Sequence, residues 1–368
     1  MIYKRLIAAD ARCDMAYFAG VRREAHIMVH CTHPGENFDS QLESVRKLAD
    51  EVAGLTGMQA VFCRWFLSDA TNQASQLPDM KCATTVVQQS PLDGTKVALW
   101  MILEEEAGFE EVAAGVFAND RGRIWMGDIP AQGHDSYALT ESYLMRLNEL
   151  LIARGGTMLD HCVRTWFFVR DVDVNYKGVV DGRNAVFSRT GLTRDTHFIS
   201  STGIEGRHPD PGVCVSFNAI ADTSLRCGQM RHLHAATHLN PTIEYGVAFE
   251  RGTTVDYADR REIYISGTAS IDNRGEIVHP GDIRRQAARM LENIEVLLEE
   301  AEATFADVAH FIIYLRDAAD YSVVDEIFSS RFPDTPRVIV LAPVCRPGWL
   351  IETECMAVKA ISTSYGEY

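Results

Sequence analysis

The sequence predicts an α+β fold in which three tandem units of one chain pack as an intrachain pseudo-trimer. Three observations carry this expectation. A pattern of apolar strand, amphipathic helix, second apolar strand and closing strand occurs three times, at intervals of roughly 100 to 140 residues. The apolar residues follow a period of two in some stretches and 3.6 in others, so each copy mixes strands with helices. No flexible Gly/Ser/Pro linker separates the copies. A small sheet with helices on one face leaves its other face bare, and three such units would bury those faces against one another.

The third copy is the clearest. REIYISGTASI reads as a strand, and Ala287, Met290, Leu291, Ile294, Leu297 and Leu298 then recur on one helical face. VAHFIIYLRD is a strand, SVVDEIFSSRF a second helix, and PRVIVLAPV and LIETECMAV two further strands. The second copy repeats the order with GRIWMGDIPA, a helix carrying Leu144, Leu147 and Leu151, the strand HCVRTWFFVRD and the closing strand VCVSFNAIA. Arg170 and Asp171 fall where Arg316 and Asp317 fall in the third. In the first and most diverged copy, HIMVHC is a strand, Leu42, Val45, Leu48 and Val52 mark the helix, and AVFCRWFLSD and KVALWMILEE supply later strands. The acidic EEEAGFEE and the polar RCGQMRHLHAATHLN suggest units at 1–115, 116–225 and 226–368.

Composition narrows the function. The formal charge of -16, from 51 acidic against 35 basic side chains, would repel a phosphate backbone, so nucleic acid is not an expected partner. No stretch approaches the eighteen or so apolar residues of a membrane span, and charges interrupt the opening MIYKRLIAADARCDMAYF too often for a signal peptide. A cytoplasmic protein without membrane partners is the expectation. The 9 cysteines form no CxxC pair and read as reduced, buried thiols. Neither GxGxxG nor GxxxxGK[ST] occurs, so no nucleotide cofactor is expected. His232, His234 and His238 have a spacing that suits a metal, but no matching ligand cluster stands out elsewhere, and no metal is expected.

At ISGTASIDNRGEIVHPGDIRRQAARMLENIEVLLEEAEA the third copy resembles the Rid (YjgF) family, also labelled endoribonuclease L-PSP. The resemblance implies chorismate-mutase-like α+β units, trimeric packing and ligand sites in the clefts between units. In Rid deaminases an arginine grips the substrate carboxylate, and a glutamate fifteen positions later orients water. Arg337 and Glu352 stand at that separation. VRTWFFV, STGIE, HLNPTIEYGVAFERG, YISGTASI and HPGDIRRQ extend the resemblance, over roughly residues 120 to 360, to the chorismatases, single-chain relatives that cut chorismate into pyruvate and a ring product. There the glutamate of the final strand, matched by Glu352 or Glu354, acts as the acid. Arg337 is a Rid feature rather than a chorismatase one.

The residues themselves favour a small carboxylated metabolite. A guanidinium offers a carboxylate a planar fork of two donors, which makes Arg337 the natural anchor, and a dicarboxylate needs a second arginine, Arg251 or Arg164. Glu352 lies in an otherwise apolar strand, where burial raises a carboxyl pKa, and alternation puts Glu354 on the same face. Trp166 and Tyr245 could wall a ring, and Thr202 and Gly203 could turn backbone N–H groups toward a ligand oxygen. The strand VCVSFNAIA puts Cys214 opposite Glu352, and Cys345 and Cys355 read as strand packing. The expected function is chorismatase-like hydrolysis of an enol ether by a monomeric pseudo-trimer or weak homo-oligomer; a Rid-type deaminase of 2-imino acids and a noncatalytic ligand-binding member of the family are the alternatives.

Overall fold

The structure is a computed structural model that describes residues 1–367, the side chain of Tyr245 excepted. Among the described residues, eighteen strands form three six-stranded sheets. In spatial order the first holds β1 (Ile2–Ile7), β2 (Ala11–Ala19), β3 (Arg23–Cys31), β6 (Val97–Glu104), β4 (Gln59–Leu67) and β5 (Ala83–Gln88). The second holds β11 (Ser200–Glu205), β10 (Cys162–Val169), β12 (Val215–Asp222), β9 (Arg123–Met126), β8 (Val116–Ala118) and β7 (Glu110–Ala113). The third holds β13 (Met230–Leu233), β14 (Gly252–Asp256), β15 (Arg260–Ala269), β18 (Ile351–Ala360), β16 (Val308–Leu315) and β17 (Arg337–Leu341). The helices are α1 (Phe38–Thr56), the short α2 (Ala70–Gln73), α3 (Ser136–Ala153), the short α4 (Met158–His161), α5 (Val172–Arg189), α6 (Ile283–Glu300) and α7 (Tyr321–Arg331).

Each unit is wired alike. A hairpin leads through a long helix to a strand, a crossover returns to a parallel neighbour (β4 with β5, β10 with β11, β16 with β17), and the last strand slots antiparallel into the middle. Parallel pairing demands the crossover, and α5 and α7 supply it in the second and third units. In the first unit that helix has shrunk to α2. The strands β1, β2, β5, β7, β8, β11, β13 and β14 go beyond the expected pattern, and β13 turns part of the segment read as a connector, MRHL, into a strand. Sheet membership changes between Glu104 and Glu110 and again between Asp222 and Met230.

α1, α3, α6 and α7 form where the sequence placed helices, whereas α5 and the short α2 and α4 go beyond that expectation. α6 starts at Asp282, whose carboxylate accepts from the Arg285 amide, and buries Ala287, Met290, Leu291, Ile294, Leu297 and Leu298 along one stripe. α1 is capped by Asn37 and closed by Gly57 at φ 67°, a left-handed turn that glycine adopts without strain. On the opposite faces of the sheets, large side chains meet at the centre of the molecule. Phe62 stacks on Trp125 at 4.9 Å and meets Trp100 edge-on at 5.1 Å, with Trp166 and Phe168 in the same core. The ends of the parallel strands bridge the units in cyclic order: Gln88 with Arg207, Ile204 with Val344 and Val340 with Pro91. Among the described residues no helix is long and apolar enough to cross a membrane.

Candidate active site

The cleft between the second and third units is assembled around an irregularity in β15. Its pairing with β18 shifts between Ile265 and Thr268, which turns Ser266 and Gly267 toward the second unit. Ser266 Oγ accepts from the Ser201 amide (2.9 Å) and from Arg164 Nη1 (3.1 Å), and donates to the Glu250 carbonyl (2.6 Å). The Gly267 amide donates to Thr202 Oγ1 at 3.0 Å. A methyl group on Gly267 would lie 2.1 Å from Glu352 Oε1, so this position admits the carboxyl only because it is glycine. Gly203 plays the same part for Tyr176, whose ring would come within 2.7 Å of an added methyl.

Strand alternation brings Glu352 and Glu354 to one face of β18, but their surroundings differ. Glu354 is saturated: Arg164 Nη2 donates at 2.8 Å, Trp166 Nε1 at 2.9 Å, Thr202 Oγ1 also donates, and Arg64 lies 3.5 Å away. Glu352 is equally buried, yet among the described residues nothing donates to it. Burial first, and the neighbouring Glu354 second, push its pKa up to about 8, against the pull of Arg164 and Arg251. It faces a chamber lined by Ser201, Thr202, Arg183, Arg251, Arg346 and Trp349, with about 40 Å³ open to the centre of a water-sized sphere. That is room for a few waters, so a larger ligand requires its walls to move.

Three arginines line this chamber. Arg183, on α5, is 1% exposed, and its Nε and Nη2 have no hydrogen-bond partner among the described residues. A buried guanidinium without a carboxylate is costly, and a ligand anion is the group that would complete it. Arg251 donates to the Asn240 carbonyl at 3.0 Å, and Arg346 lies 5.0 Å over the Trp349 ring. Tyr176 and Cys345 also line the chamber, and burial holds both above their usual pKa, the thiol at about 12.

Several sequence expectations are corrected here. Arg337 does not meet Glu352. Its guanidinium donates to the Phe332 carbonyl (3.0 Å) and Ser329 Oγ (2.7 Å), while His30 of the first unit bonds its carbonyl. Strand register explains the separation. Arg337 pairs with Phe311 and Glu352 with Tyr314; the corresponding positions are Ser201 and Ser216 in the second unit, and Thr84 and Ala98 in the first. Ser201, the counterpart of Arg337, lines the chamber that Glu352 faces. In three identical units, symmetry would bring each arginine to its neighbour's glutamate; in three diverged units the pair is divided between two clefts. Ser216, not Cys214, is thus the equivalent of Glu352.

Arg164 and Trp166 are spent on Glu354 and wall no ring. Thr202 and Gly203 lie in the strand β11 rather than a turn, and it is the Thr202 hydroxyl that reaches Glu354. Cys345 belongs to the loop after β17 and lines the chamber, whereas Cys355 does pack within β18. The side chain of Tyr245 lies outside the described residues. Of the three histidines, His232 and His234 line a neighbouring basin and His238 meets Glu292 (3.3 Å); the described residues hold no group of three His, Cys, Asp or Glu that could bind a metal. Sequence reasoning missed Arg183. Its signal was a charged residue on the buried stripe of α5 with Val179, Val186 and Phe187.

Comparison with known proteins agrees with this architecture. Residues 253–359 match the family model for endoribonuclease L-PSP. The chain is 39% identical over 100 residues, 26% of its length, to a RutC family protein of Pyrococcus abyssi, covering 78% of that protein. It is 33% identical over 97 residues, again 26% of its length, to the 3-aminoacrylate deaminase RutC of Acinetobacter baylyi, covering 77% of it. Among solved structures, a chorismatase at 19% identity superposes with a TM-score of 0.66, over 81% of this chain and 93% of that one. The three-unit architecture is therefore chorismatase-like in fold.

Proposed function

Because the chain belongs to the RutC family of endoribonuclease L-PSP-like proteins, we propose that its cleft between the second and third units hydrolyses a small carboxylated enol ether, chorismate or a relative, with release of pyruvate. The observation that carries this reading is Glu352: buried, without a donor, and facing a chamber with the bare Arg183 guanidinium and Arg251. A carboxyl with a pKa near 8 still holds its proton at neutral pH and is a competent general acid.

The proton of Glu352 passes to the methylene carbon of the enol ether, and the electrons of the carbon–carbon double bond form the new C–H bond. The resulting oxocarbenium ion, held through its carboxylate by Arg183, with Arg251 on a second carboxylate, is captured by water. The hemiketal then collapses to pyruvate and the alcohol, and the proton lost by water restores Glu352. Water and one recycled proton balance the reaction.

Incubating the protein with chorismate should release pyruvate in stoichiometric amount with the ring product. Pyruvate no faster than in a protein-free control would reject the reaction. The kinship of the third unit with a deaminase favours a second reading, in which Glu352 directs water onto a 2-imino acid. An amino-acid oxidase generating imines in the presence of the protein would then give faster ammonia release. Stabilisation by carboxylates without either turnover would leave the noncatalytic binding role.

A further inference from the structure

One side chain of the first unit reaches the same strand position in all three units. Arg64 lies on β4 opposite Trp100 of β6, and the same register pairs Trp166 with Asn218 in the second unit and Ile312 with Glu354 in the third. Trp100, Asn218 and Glu354 are thus equivalent. The Arg64 guanidinium lies 5.0 Å from the Trp100 ring, its Nη2 donates to Asn218 Oδ1 at 3.3 Å, and its Nη1 is 3.5 Å from Glu354 Oε1. Its own equivalents are Trp166 and Ile312, so the first unit supplies a cation where the other two carry no charge. Arg64 is fully buried, and the rings of Phe168, Trp166 and Phe62 stand 4.7, 5.2 and 5.6 Å from its guanidinium. These rings attract the cation but offer it no acceptor, which leaves Glu354 as its ion-pair partner.

Resting on the function proposed above, we infer that Arg64 is a positioning residue for that reaction: from the first unit, it keeps Glu354 ionised and so confines the proton of the glutamate pair to Glu352. Two carboxyls on one strand face compete for a proton, and the one with more cations and donors around it loses the contest. Arg164 at 2.8 Å is one cation on Glu354 and Arg64 is the second, and a guanidinium stays charged at any physiological pH. Other ionisable groups near the pair do not take part. Burial raises the pKa of Tyr314, Tyr176 and Cys345 and so keeps them neutral, while burial, with His26, Arg64 and Arg164 nearby, holds His310 well below its usual pKa. Arg183, Arg251 and Arg346 line the chamber that Glu352 faces. Without Arg64 the proton would divide between Glu352 and Glu354, and a pair that has lost a cation would release it at a higher pH.

The test compares the full chain with Arg64→Met and Arg64→Lys by two readouts. Infrared titration follows the protonated-carboxyl band that Glu352→Gln removes, and it needs no substrate. The pH profile of pyruvate release from chorismate follows turnover. In Arg64→Met both the loss of the band and the fall in turnover should move up by about one pH unit, with the turnover plateau reduced by about threefold or more. Arg64→Lys keeps the charge and should return both midpoints to the wild-type position. Should Arg64→Met fail to fold, Arg64→Gln removes the same charge and keeps an amide that can donate to Asn218. A wild type without turnover counts against the reaction alone, and the infrared midpoint still decides the role of Arg64. If Arg64→Met and Arg64→Gln lower the plateau or the melting temperature but leave the midpoints where they were, Arg64 is merely structural and the inference is overturned.

Discussion

Two glutamates two residues apart on one strand face show how little a residue's type says without its partners. Glu354 is fully donated to and serves as the clasp between units, whereas Glu352 is left bare. Glu352→Gln should therefore cut turnover by at least roughly a hundredfold and leave ligand affinity within severalfold, since the amide keeps the size and neutrality of the acid but lacks its proton. Turnover of the wild type should fall as pH rises through about 8. The same shift links to stability. The pKa of Glu352 is raised from its usual 4.5, so the folded chain keeps a proton that the unfolded chain releases. Its contribution is complete below about 4.5 and is lost progressively as pH rises through about 8. Thermal melts at pH 5 and 9 should show Glu352→Gln gaining on the wild type at the higher pH; a difference independent of pH would contradict the shift.

At the scale of elements, the decisive contact is between α3 and α5. A methyl group on Gly178 would lie 2.1 Å from Ser136 Oγ, and one on Gly182 would lie 2.8 Å from the Tyr137 carbonyl, so the helices touch backbone to backbone at these two glycines. That contact sets how deeply Arg183, the next residue, enters the cleft. Helix propensity favours Gly182→Ala by about 1 kcal/mol, but the methyl must displace a backbone carbonyl, which costs about 1–3 kcal/mol in a packed interior. The clash should win. We expect a lower melting temperature for Gly182→Ala, together with weaker carboxylate binding, both measurable by thermal shift with and without pyruvate. A rise in melting temperature would show that the helices can part at no cost.

At the scale of the molecule, the three units are tied by charges buried where their sheets converge. Arg260 of the third unit donates to Glu24 of the first at 2.9 Å, and Arg123 of the second donates to Glu262 of the third at 3.0 Å. Glu24 also meets His26 at 2.6 Å, and His26 meets His310 of the third unit at 3.0 Å. Removing one partner strands a buried charge, so Arg260→Met should cost about 3–5 kcal/mol in chemical denaturation; a loss below about 1 kcal/mol would mean that solvent reaches Glu24. Because one core draws side chains from all three units, calorimetry should show a single cooperative transition. Three separated transitions would indicate units that fold independently.

The sequence by itself determined the repeat, the α+β character of each unit, the stripes of α1, α3 and α6 and the shared face of Glu352 and Glu354, because these follow from periodicities of two and 3.6 that neighbouring residues enforce on one another. Its fifteen-residue spacing of Arg337 and Glu352 was also a real signal, but spacing along a strand pair cannot say which cleft each side chain enters. Only the tertiary structure decided that. The pseudo-threefold arrangement sends Arg337 toward the first unit and Glu352 toward the second, where Ser201 stands in the arginine's place and Arg183 arrives from a helix about 170 residues earlier in the chain. Which carboxyl is bare and which is bound depends on side chains from another unit, and burial by distant residues leaves no local mark in the sequence.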